Sequence, residues 1–358
     1  MKFIHCADLH LDSKIDTIPT QKSKIRREEI VNSFERLCDY ATENAVTAVI
    51  IAGDMFDTER VTSKTKARVL KAFEKNSSVD FLYLSGNHDD NLFLSEVENL
   101  PKNVKVFGES WTSFNYGNVV ISGIDFAGAN VLSAHDSLSL EQDKINVVVM
   151  HGQVAGYKSN EKAEVISIPK FKNKNVDYLA LGHIHSYSEG VIDERGKYVY
   201  CGCLDGRGFD ETGKKGFVLL ETDDCKIKHQ FLPFSSRNLY EVEFDVSGKT
   251  DWLSAKEQLL LQLEKEYDAN SLLKIVLKGE HDTEFDVDKE TLTLRLNERY
   301  FFAKVYDKTV LSVKLEDFDA DKSVRGEFVR SVLQSELDEE MKRKVIMLGL
   351  NALKGEEI

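Results

Sequence analysis

Short apolar runs alternate with amphipathic stretches through the first hundred residues. Residues 2–7 read as an opening strand. Over residues 24–44, Ile25, Ile30, Phe34, Leu37 and Ala41 recur at three- to five-residue steps, which predicts an amphipathic helix. Residues 45–52 (AVTAVIIA) form a continuous apolar run, the mark of a strand buried on both faces. A helix is predicted over 63–75 and a strand over 80–84. Strand–helix alternation of this kind means α/β layering. After residue 100 the texture changes to short strands, at 104–107, 118–124, 145–150, 178–181, 197–201, 216–220 and 226–232, with few helical stretches between them. A mixed β sandwich flanked by helices follows.

A boundary falls near Phe234-Ser235-Ser236-Arg237-Asn238. Beyond it, strands at 239–244, 272–277 and 292–296 and a helix at 252–267 predict a small α+β module. Residues 322–352 read as two helices. Phe328, Val329, Val332, Leu333 and Leu337 make one apolar stripe; Met341, Val345, Ile346, Leu350 and Leu353 make another. The expected division is 1–235, 236–320 and 321–358.

Length supports more than one core, since 358 residues exceed what a single core usually organises. With 42% hydrophobic and 30% charged residues the composition is that of a soluble globular protein. No apolar run reaches the ~18 residues of a membrane helix, so no membrane association is expected. The N-terminus enters a strand directly, with no signal peptide, which predicts a cytoplasmic protein. A net charge of −14 argues against indiscriminate binding to nucleic acid. Residues 241–358 hold 27 acidic against 18 basic residues, so most of the excess lies there. Cys6, Cys38, Cys201, Cys203 and Cys225 show no paired spacing and are expected as reduced, mostly buried thiols.

Chemistry is concentrated where the apolar runs end. Five motifs occur in order: Asp8-Leu9-His10, Gly53-Asp54-Met55-Phe56-Asp57, Gly86-Asn87-His88-Asp89, His151-Gly152 and Gly182-His183-Ile184-His185. The two-residue spacings Asp8/His10 and His183/His185 put both side chains on one side of an extended segment. Hard oxygen and imidazole donors without a thiolate suit manganese, iron or zinc. Any one motif alone is weak, because glycine, aspartate and asparagine are common in turns. Together they hold five of the nine histidines, each motif at the end of a predicted strand. That combination predicts a metal site, and two metals point to phosphate-ester chemistry. His5 is expected in the core, and His135, His229 and His281 on surface or loop positions. Lys14, Lys22, Lys24, Arg26, Arg27, Arg60, Lys64 and Lys66 follow the first two motifs and are candidate phosphate contacts, Lys14, Arg60 and Lys64 foremost. Tyr157, Lys158 and Phe209 are weaker candidates.

The order D-x-H, G-D-x-x-D, G-N-H-D, H-G and G-H-x-H resembles calcineurin-like metallophosphoesterases. Within them, KFIHCADLHLDS and YCGCLDGRGFDETGKKGFVLLE are similar to the SbcD-type DNA repair exonucleases. The resemblance covers residues 1–235. It implies a four-layer α/β/β/α sandwich with a small C-terminal α+β cap and terminal helices. It further implies two Mn2+ ions, with Fe2+, Mg2+ or Zn2+ as substitutes. Asp8, His10 and His185 would hold one ion, Asn87, His151 and His183 the other, and Asp54 would bridge. His88 would face the scissile phosphate, Asp89 would orient His88, and Asp57 would support the site from outside the ligands. DNA would be the substrate, cut exonucleolytically with some endonuclease activity. An SbcC-like ABC/SMC-type ATPase would be the partner, docked on residues 321–358, and a homodimer would form through helices around 60–100. Two other readings of the motifs stay open: a nucleotide or cyclic-nucleotide phosphodiesterase or phosphatase, and a DNA-end-binding subunit in which catalysis is secondary.

Overall fold

The first sheet of the computed structural model is built from β1 (Lys2–Cys6), β2 (Ala48–Ala52), β3 (Asp80–Leu84) and β4 (Val104–Val106), all parallel. The structure describes residues 1–57, 61–89, 100–126, 133–156, 164–223, 226–282, 285–312, 318 and 321–354. The second sheet contains β5 (Thr112–Tyr116), β6 (Val119–Gly123), β7 (Ile145–His151), β10 (Tyr178–Gly182), β11 (Ser188–Val191) and β12 (Lys197–Tyr200), in the order β11-β12-β10-β7-β6-β5. Its four central strands are parallel and its two edge strands antiparallel. Between them in sequence, β8 (Gln153–Val154) pairs with β9 (Val165–Ile166). Strands β13 (Gly216–Thr222) and β14 (Ile227–Pro233) return to complete the first sheet, in the order β14-β13-β1-β2-β3-β4.

The sheets pack face to face. Phe3, Ile50, Leu82 and Val218 of the first meet Val119, Val147, Tyr178 and Val199 of the second in one buried layer. Each fully buried Val, Ile, Leu or Phe contributes about 1.5–3 kcal/mol, so this layer holds the sandwich together. The first sheet's outer face carries α1 (Thr20–Glu43) and α2 (Ser63–Lys75), whose Phe34 and Phe73 stack edge to face at 5.7 Å. Phe73 in turn lies 4.6 Å from Phe81 of β3. Across the second sheet's outer face, Phe171 of a short 3-10 turn packs with Val148, Leu179 and Tyr200. This is the mixed α/β sandwich that the strand pattern predicts.

The chain divides into Met1–Tyr240 and Glu241–Ile358. In the second unit β15 (Leu239–Asp245), β16 (Leu272–Lys278) and β18 (Phe302–Asp307) form a sheet, accompanied by α3 (Trp252–Glu266), α4 (Lys289–Arg299) and the small pair β17 (Glu280–His281) and β19 (Val310–Leu311). The expected strand at 292–296 is instead part of α4. Its alternation of Leu292, Leu294 and Leu296 looks extended, but only Leu292 and Leu296, one helical turn apart, are buried, and Leu294 stays 69% exposed. Asp288 caps this helix through the Thr291 N–H at 2.9 Å. Finally α5 (Val324–Leu333) and α6 (Glu339–Lys354) bury Val329, Val332, Ile346 and Leu350 against one another. Leu337, Met341, Leu348 and Leu353 remain exposed.

Of two smaller expectations, the first is corrected and the second holds for the described cysteines. His135 is buried rather than on the surface: its ring lies edge-on between Phe126 and Phe171, and its Nε2 accepts the Ser167 N–H at 3.2 Å. Cys6, Cys38, Cys201 and Cys203 are buried free thiols, while Cys225 lies outside the described residues.

Candidate metal centre

The five motifs sit at the carboxyl ends of β1, β2, β3, β7 and β10, the end of an α/β sheet where loops gather chemistry. The backbone there is not extended, contrary to the two-residue reading of Asp8 and His10. Asp8, His10, Asp54 and His183 have φ of 51°, 45°, 52° and 99°. Left-handed backbone at such residues costs on the order of 1–3 kcal/mol each. Hydrogen bonds between the loops hold it. The N–H groups of Asp8, His10 and Leu11 donate to the carbonyls of Gly53, Asp54 and Met55 at 3.0, 3.0 and 2.9 Å. Close packing also explains two glycines. A Cβ on Gly53, itself at φ 92°, would fall 2.1 Å from Nδ1 of His151, and one on Gly86 would fall 2.1 Å from Oδ1 of Asp54.

Two ligand groups result. Donor atoms of Asp8, His10 and His185 lie within 4.8 Å of one another, and so do those of Asp54, His151 and His183. Asp54 reaches both groups, its Oδ2 being 3.3 Å from His151 Nε2 and 3.9 Å from His10 Nε2. Asn87 joins the second, its Oδ1 2.8 Å from His151 Nε2. Across the first, the Nε2 atoms of His10 and His185 approach to 3.1 Å. The buried Oδ2 atoms of Asp8 and Asp54 accept no hydrogen bond among the described residues. Burying an unpaired carboxylate oxygen is costly, and a bound cation removes that cost. The donor set therefore fits two metal ions.

Outer partners orient the imidazoles. His151 Nδ1 lies 2.9 Å from the Ala52 carbonyl, which can only accept, so Nδ1 carries the proton and Nε2 is left to ligate. His185 Nδ1 lies 2.7 Å from Glu211 Oε1, and His10 Nδ1 lies 3.0 Å from Asp57 Oδ1. Arg207 touches both carboxylates, with Nη2 2.7 Å from Glu211 Oε1 and Nη1 3.2 Å from Asp57 Oδ1. Neither Arg207 nor Glu211 is among the sequence-predicted site residues. Their sequence signals are the crowding of charge in DGRGFDETGKK, between two apolar strands, and the place of that segment in the stretch that carries the family resemblance.

The electrostatics follow from these pairs. Burial pushes the Asp54 carboxyl up, but His151, His10 and the His88 N–H outweigh it and hold Asp54 well below its usual value. Burial opposes charge on His151 too, yet Asp54 raises that imidazole to about 9. Asp57, despite partial burial, is lowered to about 2 by His10, Ser13 and Arg207. Glu211 is held low against burial by His185 and Arg207. A ligating imidazole must be neutral, so metal uptake has to displace the His151 proton. Metal affinity should therefore rise about tenfold per pH unit towards pH 9 and level off above it. Manganese titrations across pH 6–10 measure this; a flat profile would contradict it.

His88 stands apart from both groups. Its ring lies edge-on to His10 at 5.3 Å, its Nδ1 is 3.5 Å from Asp57 Oδ1, and its side chain is 30% exposed. Its backbone N–H donates to Asp54 Oδ1 at 2.9 Å. Asp89 is placed differently from expectation. Its carboxylate accepts the N–H groups of Met55, Phe56 and Gly86 at 3.2, 2.9 and 2.9 Å, so it ties two loops together, and the carboxylate beside the His88 ring is Asp57. Burial, then the charge of Asp54, raises Asp89 to about 6.

The candidate phosphate contacts scatter. Arg26 is fully buried, bonded to Asp205, Glu29 and the Gly206 carbonyl, and cannot meet a ligand. Phe209 is buried as well. Lys64 is exposed but paired with Glu28. Lys14 is exposed beside Asp57 and Arg207, on a cleft next to the first ligand group. Arg60, Tyr157 and Lys158 lie outside the described residues.

The family model for calcineurin-like phosphoesterases matches residues 1–187. The uncharacterized metallophosphoesterase YhaO of Bacillus subtilis is 26% identical over 244 residues, covering 64% of this chain and 60% of that protein. The DNA double-strand break repair protein Mre11 of Haloferax volcanii is 23% identical, with 98% of this chain and 75% of the relative covered. Mre11 of Sulfolobus acidocaldarius is 22% identical, with 88% and 85% covered. The chain thus spans about 60% of the Bacillus relative's length. Among solved structures, a dimetal phosphatase from Danio rerio aligns with a TM-score of 0.42 at 11% identity, over 64% of this chain and 98% of its own.

Proposed function

Because the chain belongs to the calcineurin-like phosphoesterase family, and so is a metal-dependent hydrolase, we propose that it is a manganese-dependent DNA nuclease of the SbcD/Mre11 type. The observation that carries two-metal chemistry is Asp54, which belongs to one three-residue ligand group and whose buried Oδ2 also approaches His10 of the other. When bound, two ions supply Lewis acidity toward the phosphoester oxygens and toward water. The chain's own residues do the rest. Asp57, Glu211 and the Ala52 carbonyl hold the ligating imidazoles in one tautomer, and Asp89 clamps the loops after β2 and β3. His88, half-buried beside the ligands, donates a proton to the leaving oxygen. DNA as the substrate is supported by the Mre11 alignments, which extend over most of both chains. Asn87 and His88 reach the surface, which suits a substrate too large to be enclosed.

A second reading, hydrolysis of small nucleotides, is favoured by one observation. The cleft beside the site offers Asp16, Asp57 and Asp210 against Lys14 and Arg207, an excess of negative charge that a polyanion would resist. An SMC-type ATPase partner would use the exposed Leu337, Met341, Leu348 and Leu353 of the terminal helices. The proposed dimer contact includes residues 90–99, which lie outside the described residues. Manganese-loaded protein should degrade linear single- or double-stranded DNA as well as bis-p-nitrophenyl phosphate, and removal of residues 321–358 should abolish ATPase binding while sparing the small substrate. Hydrolysis of the small ester with every DNA left intact would replace the nuclease reading with the nucleotide one.

A further inference from the structure

Behind the first ligand group lies a closed chain of charges, whereas the Nδ1 of His151 in the second group faces a backbone carbonyl. His10 Nδ1 rests on Asp57 Oδ1 at 3.0 Å, and His185 Nδ1 on Glu211 Oε1 at 2.7 Å. One guanidinium joins the two carboxylates. Arg207 meets Glu211 Oε1 through Nε at 3.0 Å and Nη2 at 2.7 Å, and Asp57 Oδ1 through Nη1 at 3.2 Å. Its backbone N–H adds a bond to Glu211 Oε2 at 2.6 Å, and Ser13 Oγ donates to Asp57 Oδ2 at 2.7 Å. Glu211 is 3% exposed, so it is placed for the interior rather than for solvent. Lys215, equally buried, donates to the His185 carbonyl at 2.6 Å and fixes the same residue from its backbone. The Nδ1 of His151 lies instead against the neutral Ala52 carbonyl.

We propose that Arg207 and Glu211 are positioning residues that make the Asp8–His10–His185 group the tighter of the two metal sites. This inference rests on the two-metal reading of the centre. A carboxylate behind an imidazole raises its basicity and fixes its ring, and loss of such a partner typically lowers metal affinity about 10–100-fold. Arg207 backs both carboxylates and also reaches the ligand ring, its Nη2 lying 3.3 Å from His185 Nδ1. It holds Glu211 and Asp57 at a fixed separation, so both imidazoles of the group turn toward the same point. A lysine at 207 keeps the charge but cannot span two carboxylates with a planar fork.

Manganese binding followed by calorimetry and by electron paramagnetic resonance separates the outcomes. Wild-type protein should bind two ions with unequal affinity. Glu211→Gln, which keeps the shape and a hydrogen-bond acceptor but not the charge, should weaken the tighter site about 10–100-fold and leave the weaker one within twofold. Arg207→Lys should do the same to a smaller extent, with the resonance of the singly loaded protein altered. Thermal melting of the metal-free variants checks that they fold, and Asp205→Asn, which disturbs the neighbouring Arg26 pair instead, serves as a control that should leave both affinities unchanged. Two ions bound by wild type and by Glu211→Gln with the same pair of affinities, or an equal loss at both sites, overturns the positioning role alone. Wild-type protein that binds no ion overturns the two-metal reading with it.

Discussion

Asp54→Asn should bring phosphodiester hydrolysis down by about 10³-fold or more and reduce manganese binding from two ions to one or none. The Asp54 Oδ2 approaches imidazoles of both groups. Asparagine is nearly the same size and can still accept the His88 N–H through its Oδ1, so the loop after β3 should keep its path. What is lost is a negative charge at the point that two bound cations would share. Two divalent ions a few ångströms apart repel strongly at low dielectric, and a bridging anion offsets that repulsion. Without it the second ion binds poorly, and the Lewis acidity it would bring, several kcal/mol of transition-state stabilisation, goes with it. Equilibrium dialysis and hydrolysis of bis-p-nitrophenyl phosphate measure both effects on one preparation. Activity within tenfold of wild type at full metal occupancy would remove Asp54 from the centre of the mechanism.

His88→Ala should behave in the opposite way: two ions bound as before, and DNA cleavage lowered about 10²–10⁴-fold, the usual contribution of a general acid. His88 lies outside both ligand groups, and its link to Asp54 runs through the backbone N–H, which alanine retains. The size of the loss should depend on the leaving group. A deoxyribose oxygen leaves badly unless protonated, whereas p-nitrophenolate leaves without help. Bis-p-nitrophenyl phosphate should therefore lose much less rate than DNA. An equal loss on both substrates would mean that His88 stabilises charge rather than supplying a proton, and loss of an ion would mean that it ligates.

Much of the fold could be read from local pattern. The run Ala48–Ala52 and the stretch Val147–Met150 of the strand Ile145–His151 are apolar because both faces of each parallel strand are covered. The helix Lys289–Arg299 was misread because TLTLRL satisfies period two as well as it satisfies a four-residue step. Only the burial of Leu292 and Leu296 with Leu294 left out decides between them. Arg26 shows the same limit for charge. Its sequence neighbours suggest a solvated basic face, and its burial depends on Asp205, 179 residues away.

For the metal centre, the kinds of donor and their order belong to the sequence, because ligands must be Asp, Asn or His and each strand end can offer only what its own residues carry. Local spacing says nothing about which donors share an ion. His183 and His185 are two residues apart, yet the turn at His183, with φ 99°, sends them to different groups. The second layer of contacts was less legible still. Asp89 turned to three backbone N–H groups and left His88 to Asp57, while Glu211 and Arg207 came from a loop some 200 residues beyond Asp8 and His10. Such partners are chosen by which strand ends and loops the packed sheets bring within hydrogen-bond distance. That distance is a property of the two sheets docked together, and no periodicity along the chain encodes it.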